Sequence, residues 1–292
     1  MKLSEIRTPH ERFHVHTEQK FAALALHARQ IINGKMTVPL QLAGAFGAAF
    51  LAGAINSVAG GGTLVSFPIL VALGLPPIIA NATNTVGIWP GSLGSMWGFR
   101  EELRRVNRRM FWLLVPAVIG GLVGAVLLRV TPPGVFTALV PWLILFATLL
   151  FMIQGPVQKR LRSVEAAEHA GAKWMAVAIG AELAVAIYGG YFGAGMSIMS
   201  LSVLGLIGMT DILEMSVMTS TLACAINGIA GLLFAVAGLV SWPIALAMTT
   251  GALFGGYGAA GFARKIGKVA VRRFVIIVGL TIAVVMLVKL AF

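Results

Sequence analysis

Polar and apolar residues alternate along this chain in long blocks. Ten apolar segments can be marked off, at approximately 38–57, 63–75, 79–99, 110–128, 135–154, 174–192, 196–208, 212–238, 241–262 and 274–291. No Asp, Glu, Lys, Arg or His falls within 38–99, 110–128, 130–158 or 215–263, and 174–210 contains only Glu182. Uncharged apolar runs of about 18 residues or more read as helices that cross a bilayer. Pro76-Pro77, Pro132-Pro133-Gly134 and Ser241-Trp242-Pro243 punctuate the runs. The pattern predicts an all-α polytopic membrane protein.

Two of the ten segments are too short to span. At 1.5 Å per residue, 63–75 and 196–208 each reach about 20 Å of the ~30 Å hydrocarbon core. Each follows a glycine knot: Gly60, Gly61 and Gly62 before the first, Gly193 and Gly195 before the second. Each also leads to a polar cluster, "NATNT" (Asn81 to Thr85) and "VMTST" (Val217 to Thr221). The chain thus reads as two copies of a five-segment unit. Because five is odd, the second copy enters the membrane from the other side, which predicts an inverted-topology repeat with short broken helices behind Gly-rich knots. The expected organisation is a tail (1–37), a first membrane repeat (38–154), a charged cytoplasmic linker (155–173) and a second membrane repeat (174–292).

Composition agrees with this reading. Hydrophobic residues make up 58%, charged residues 11%, and the mean hydropathy is +0.92. The net charge of +12 lies in the tail and in the loops at 100–109, 155–173 and 264–273. Cationic loops between spans follow the positive-inside bias, so no nucleic-acid partner is expected. Placing those three loops in the cytoplasm fits ten crossings with both termini outside, but strands a basic tail on the wrong side. The side that holds the tail stays open. Phe21, Leu24, Ala25, Ala28, Ile31 and Ile32 fall on one face of a helix, the pattern of an interfacial amphipathic segment or of a subunit contact. A single cysteine, Cys224, excludes an internal disulfide. The first apolar run begins only at Val38, so the first span is expected to act as the targeting element in place of a cleavable signal peptide.

The knots carry the candidate chemistry. A helix that starts inside the membrane presents unpaired N–H groups and the positive end of its dipole, and glycine lets an anion approach closely. The expected substrate-binding residues are Asn56, Ser57, Gly60, Gly61, Gly62, Thr63, Thr83, Asn84 and Thr85 from the first half. From the second half they are Tyr191, Gly193, Gly195, Ser197, Thr219, Ser220 and Thr221. Apart from Lys289 near the end, which is expected to snorkel to the interface, no Lys or Arg lies inside a span to neutralise an anion. Neutral donors and helix ends suit a small oxyanion that must bind and leave. Glu182 is the one carboxylate deep in a span, and a protonatable group there is a candidate for proton coupling; a neutral Glu bonded to a neighbouring helix is the alternative. Asp211 and Glu214 read as a capping box, and Gly251 to Gly255 as helix packing.

The repeated knot and cluster also resemble the sulfite exporter TauE/SafE family of membrane permeases. "AGGGTLVSFPILVALGLPPIIANATNT" is similar to its first half, and "YFGAGMSIMSLSVLGL" with "MTST" to its second. The resemblance covers roughly 40–290. It implies a bacterial inner-membrane secondary transporter, driven by an ion gradient, for sulfite or an organosulfonate such as sulfoacetate. The tail lies outside the family pattern, and the first cluster is richer in asparagine than is usual there.

Rival readings find less support. An intramembrane serine hydrolase needs a histidine near its nucleophile, yet His10, His14, His16, His27 and His169 all lie in the tail or the linker. An aspartyl dyad needs two aspartates, and Asp211 stands alone. No enzyme, cofactor or metal is expected, His10, His14, His16 and Glu11 lacking regular ligand spacing. A passive anion channel and a structural membrane subunit without transport stay open. Expected partners are a small anionic substrate and the lipid bilayer, with a homo-oligomer left open.

Overall fold

The computed structural model describes residues 37–57, 61–98, 103–104, 106–163, 172–209, 211–258 and 268–291. The tail with its amphipathic pattern, Gly60, residues 164–171 of the charged linker and residues 264–267 of the last basic loop lie outside the described residues. Within them the chain is helical and contains no strand. Ten α-helices follow in order: α1 Val38–Asn56, α2 Thr63–Ala72, α3 Pro77–Gly98, α4 Leu114–Val130, α5 Pro133–Ser163, α6 Ala172–Tyr191, α7 Met196–Leu206, α8 Ile212–Val236, α9 Trp242–Gly258 and α10 Lys268–Ala291. A 3₁₀ turn, Arg108–Leu113, leads into α4.

Six helical stretches are long and apolar enough to cross a membrane among the described residues: Val38–Asn56, Arg108–Val130, Pro133–Pro156, Trp174–Tyr191, Glu214–Val236 and Ala270–Val288. The remaining four differ for identifiable reasons. Helix α3 has the length, with 22 residues, but carries the Asn/Thr cluster. Helix α9 has 17 residues, one fewer than the shortest of the six. Helices α2 and α7 have only 10 and 11 residues, as the pattern predicts. Helix α5 runs further than its apolar segment, through Gly155 and Pro156 to Ser163.

Glycine decides which helices cross most closely. Helix α1 packs on α9, and α4 on α6. At the first crossing Gly251 and Gly255 lie on the carbonyls of Phe46 and Phe50, and Gly53 on that of Ala252. At the second, Gly120 and Gly124 meet main chain of α6 around Leu183 and Ile187, while Gly190 meets Gly121. No Cβ fits at these points, so main chains touch directly, which is how helices associate where lipid offers no hydrophobic drive. Helix α3 crosses α8 between these pairs, and α5 lies along α10. Asp211 Oδ1 accepts the Glu214 N–H at 3.3 Å, the cap expected at the start of α8. Large apolar side chains such as Leu122, Val126, Leu149 and Val284 face outward, as a lipid-facing surface requires.

Candidate functional site

The two breaks start and stop in the same way. Gly61 has φ +84 and Gly195 φ +81, and α2 and α7 begin directly after these turns. Leu64 N–H donates to Gly61 O at 3.0 Å, and Ile198 N–H to Gly195 O at 3.0 Å. Both short helices end on a left-handed glycine, Gly74 (φ +94) and Gly208 (φ +82). There Leu75 N–H bonds Leu70 O at 3.2 Å and Met209 N–H bonds Leu204 O at 3.3 Å, closing each helix end within the membrane. Gly61 and Gly195, Thr63 and Ser197, Ser66 and Ser200, and Gly74 and Gly208 are all separated by the same number of residues. At the equivalent positions Thr63 and Ser197, the main-chain N–H finds no acceptor among the described residues.

What surrounds the two breaks differs. At the first, Gly62 N–H donates to Asn56 Oδ1 at 2.8 Å, so the Asn56 amide oxygen sits where an anion's oxygen would bind. The ring of Phe151 on α5 lies against Gly61, with a Cβ there only 2.6 Å from its Cε2. At the second, it is the carbonyls that are engaged. Tyr188 O–H donates to Ala194 O at 2.6 Å, and Asn81 Nδ2 to Tyr191 O at 3.0 Å. A Cβ at Gly195 would meet nothing closer than Ala147, at 3.5 Å. Both breaks therefore border one turn of α5, between Ala147 and Phe151.

A buried serine ties each short helix to a long one. Ser66 O–H donates to Asn84 Oδ1 at 2.6 Å, and Ser200 O–H to Glu182 Oε1 at 3.0 Å. Glu182 is fully buried and its Oε2 has no partner among the described residues. Asn81 Oδ1 and Thr219 Oγ1 are likewise buried and unpaired. Burying a polar atom without a partner is costly, and these three mark where a proton, a water or a substrate group would be accommodated.

The sequence-predicted residues divide accordingly. Asn56, Gly61, Gly62 and Thr63 gather at the first break, and Tyr191, Gly193, Gly195 and Ser197 at the second. Asn84 reaches the first short helix through Ser66. Thr83 turns to the second half, where its Oγ1 accepts the Ser241 N–H at 3.0 Å. The Thr85 hydroxyl bonds back to Asn81 O, Ser220 to Ser216 O and Thr221 to Val217 O, each within its own helix. Ser57 does the same toward Ala54 O. The Tyr191 hydroxyl lies 3.4 Å from Thr131 Oγ1. Sequence reasoning missed Ser66, Ser200, Asn81, Tyr188 and Phe151. The two serines had a legible signal, since they occupy the same place in the two short segments.

The family model described as "Sulfite exporter TauE/SafE" matches residues 45–286. A "Probable membrane transporter protein" of Haemophilus influenzae is 27% identical over 230 residues, covering 78% of this chain and 87% of the relative. The "Probable membrane transporter protein YfcA" of Escherichia coli is 28% identical over 251 residues, covering 83% and 88% respectively. No solved structure matches significantly.

Proposed function

The chain belongs to the sulfite exporter TauE/SafE family and is an integral membrane transporter of the bacterial inner membrane, and we propose that it is a secondary exporter of small sulfur-containing anions, such as sulfite or an organosulfonate. The observation that carries the reading is the equivalent pair Thr63 and Ser197. Each lies in the first turn of a short helix behind a glycine break and holds a main-chain N–H with no acceptor among the described residues. Two such amides, each at the positive end of a short helix, attract an oxyanion without a fixed cation that would hold it too long. The hydroxyls of Thr63 and Ser197 and the unpaired Thr219 Oγ1 are further donors for its oxygens.

The halves act as inverted repeats in this proposal. Support comes from the packing: the first helix of each half pairs with the fourth helix of the other, α1 with α9 and α6 with α4. The third helices, α3 and α8, cross each other, as do the fifth, α5 and α10. A two-fold relation between halves produces that pattern, and alternating access follows from exchanging two such halves about a central site.

Glu182 is the proposed coupling group. Its Oε1 holds the second short helix through Ser200, and its free Oε2 is where a proton would be gained or lost. An uncompensated charge at that depth is costly, so a change of protonation there is felt directly by α7.

The test is transport in proteoliposomes, with sulfite, sulfate and a small organosulfonate compared across an imposed proton gradient. Saturable flux with counterflow, dependent on the gradient, is expected for the sulfur anions. Flux without saturation or counterflow identifies a channel instead, and no flux of any anion rejects transport of this class.

A further inference from the structure

Helix α5 contains a proline where a bond is needed. Pro156 has no N–H, so the carbonyl of Met152, four residues earlier, loses its helical partner. In a membrane a bare carbonyl is expensive. Arg272 on α10 supplies the missing donors: its Nη2 donates to Met152 O, and its Nε to Phe151 O at 3.1 Å. Gly155 makes room for it, since a Cβ at that position would overlap Nη1. Three residues far apart in sequence roles thus build one joint: a proline that withholds a donor, a glycine that opens the space, and a guanidinium whose planar fork reaches two successive carbonyls.

That joint sits directly behind the first break. The Phe151 residue whose carbonyl Arg272 holds is the one whose ring lies on Gly61, fully buried. We propose that Arg272 is a positioning residue for the first break: it holds the α5 main chain at Phe151 and Met152 so that the Phe151 ring closes over Gly61, two residues before Thr63. Loosening the joint lets the ring withdraw and opens that break. The second break has no such cover, because it faces Ala147 and Leu150 across ordinary van der Waals contact. The proposal rests on reading the first break as half of the anion site, but its test needs no substrate.

In a Cys224→Ala background, Thr63→Cys and, separately, Ser197→Cys would be labelled with a negatively charged methanethiosulfonate reagent on the purified, reconstituted chain. Arg272→Met is expected to raise the labelling rate at position 63 by about tenfold, a factor of the size that loss of a charge-assisted hydrogen bond carries. The rate at position 197 should stay unchanged. Adding Pro156→Ala to Arg272→Met restores an N–H for Met152 O and should return the rate at 63 to within about twofold of the parent. If Arg272→Met does not fold, Gly155→Ala, which displaces the guanidinium, is expected to raise the rate at 63 in the same way. Equal rates at 63 with and without the joint, failure of Pro156→Ala to reverse the change, or a matching change at 197 would overturn the proposal. A chain that labels as expected but binds no sulfite retains the joint and rejects the anion-site reading instead.

Discussion

At the first break the Gly62 amide is held by Asn56 and Gly61 is covered by Phe151. At the second, Asn81 and Tyr188 hold the carbonyls, and a Cβ at Gly195 would meet Ala147 and Leu150 only at ordinary van der Waals distance. Among the described residues the two places carry matching left-handed glycines, Gly61 and Gly195 before the helix and Gly74 and Gly208 after it. Occupancy differs, because at one break Asn56 takes the Gly62 amide and Phe151 covers Gly61, while at the other it is the carbonyls that are taken. The short helices are also anchored differently, the first to a permanently neutral amide and the second to a carboxyl group. In the proposed transport cycle, two halves that take turns in exposing one site need such a difference, and the proposal assigns the anion to the second break.

The sharpest way to break the comparison is at the two serine partners. Glu182→Gln should lower accumulation driven by a proton gradient by more than about tenfold, while counterflow of the anion persists, because a neutral amide still accepts the Ser200 bond but exchanges no proton. Asn84→Ala at the matching bond should leave the gradient dependence intact and act mainly on stability. Unchanged gradient-driven accumulation in Glu182→Gln would remove this residue from coupling.

Next in size are the two glycines. Gly195→Ala has room for its Cβ but forces alanine to positive φ, at a cost of about 1–2 kcal/mol. It should lower anion affinity per folded molecule by about tenfold, since the strained turn shifts the Ser197 N–H proposed to hold the ligand. Gly61→Ala bears the same backbone cost and also overlaps Phe151, so it should lose more stability than Gly195→Ala. Thermal unfolding together with anion titration separates the two effects; near-normal affinity in both variants would make the knots packing features only. Gly255→Val provides the contrast, because it strikes the Phe50 carbonyl in the α1–α9 crossing and should reduce assembly in step with binding.

Removal of the serine hydroxyls should have smaller effects. Ser66→Ala leaves Asn84 Oδ1 buried without its donor and should cost about 1–3 kcal/mol of stability. Ser200→Ala should instead shift the pH dependence of transport, because it loosens α7 from Glu182. Equal pH profiles for the two variants would erase the proposed distinction between the short helices. The smallest expected effect is at Asn56. Asn56→Ala frees the Gly62 N–H and should make the first break resemble the second, with anion affinity rising by about two- to fivefold, roughly 0.5–1 kcal/mol by isothermal titration.

Much of this architecture was legible before any coordinates, because a bilayer reduces the folding problem to one rule. Each span must be apolar, long enough and self-bonded. Ten segments therefore appear as ten helices, and the two short ones follow their glycine knots. The capping pair Asp211 and Glu214 was readable for the same local reason. Helix α5 escaped that logic. Its apolar pattern stops at residue 154, yet the helix runs on to Ser163 past a proline whose missing donor comes from Arg272, more than a hundred residues away.

The order of elements and the location of the breaks follow from the sequence alone, since hydropathy and glycine act within a few residues of themselves. Which polar groups were already spent was a matter of tertiary structure. Thr83 looked like a ligand beside the first knot, but α3 lies against the second half, where Thr83 bonds the Ser241 amide and its neighbour Asn81 the Tyr191 carbonyl. Phe151 looked like one more apolar residue in a span until its ring came to rest on Gly61. A side chain's type states what it can bond, and only the packing of distant helices determines whether a closer partner has already taken that bond.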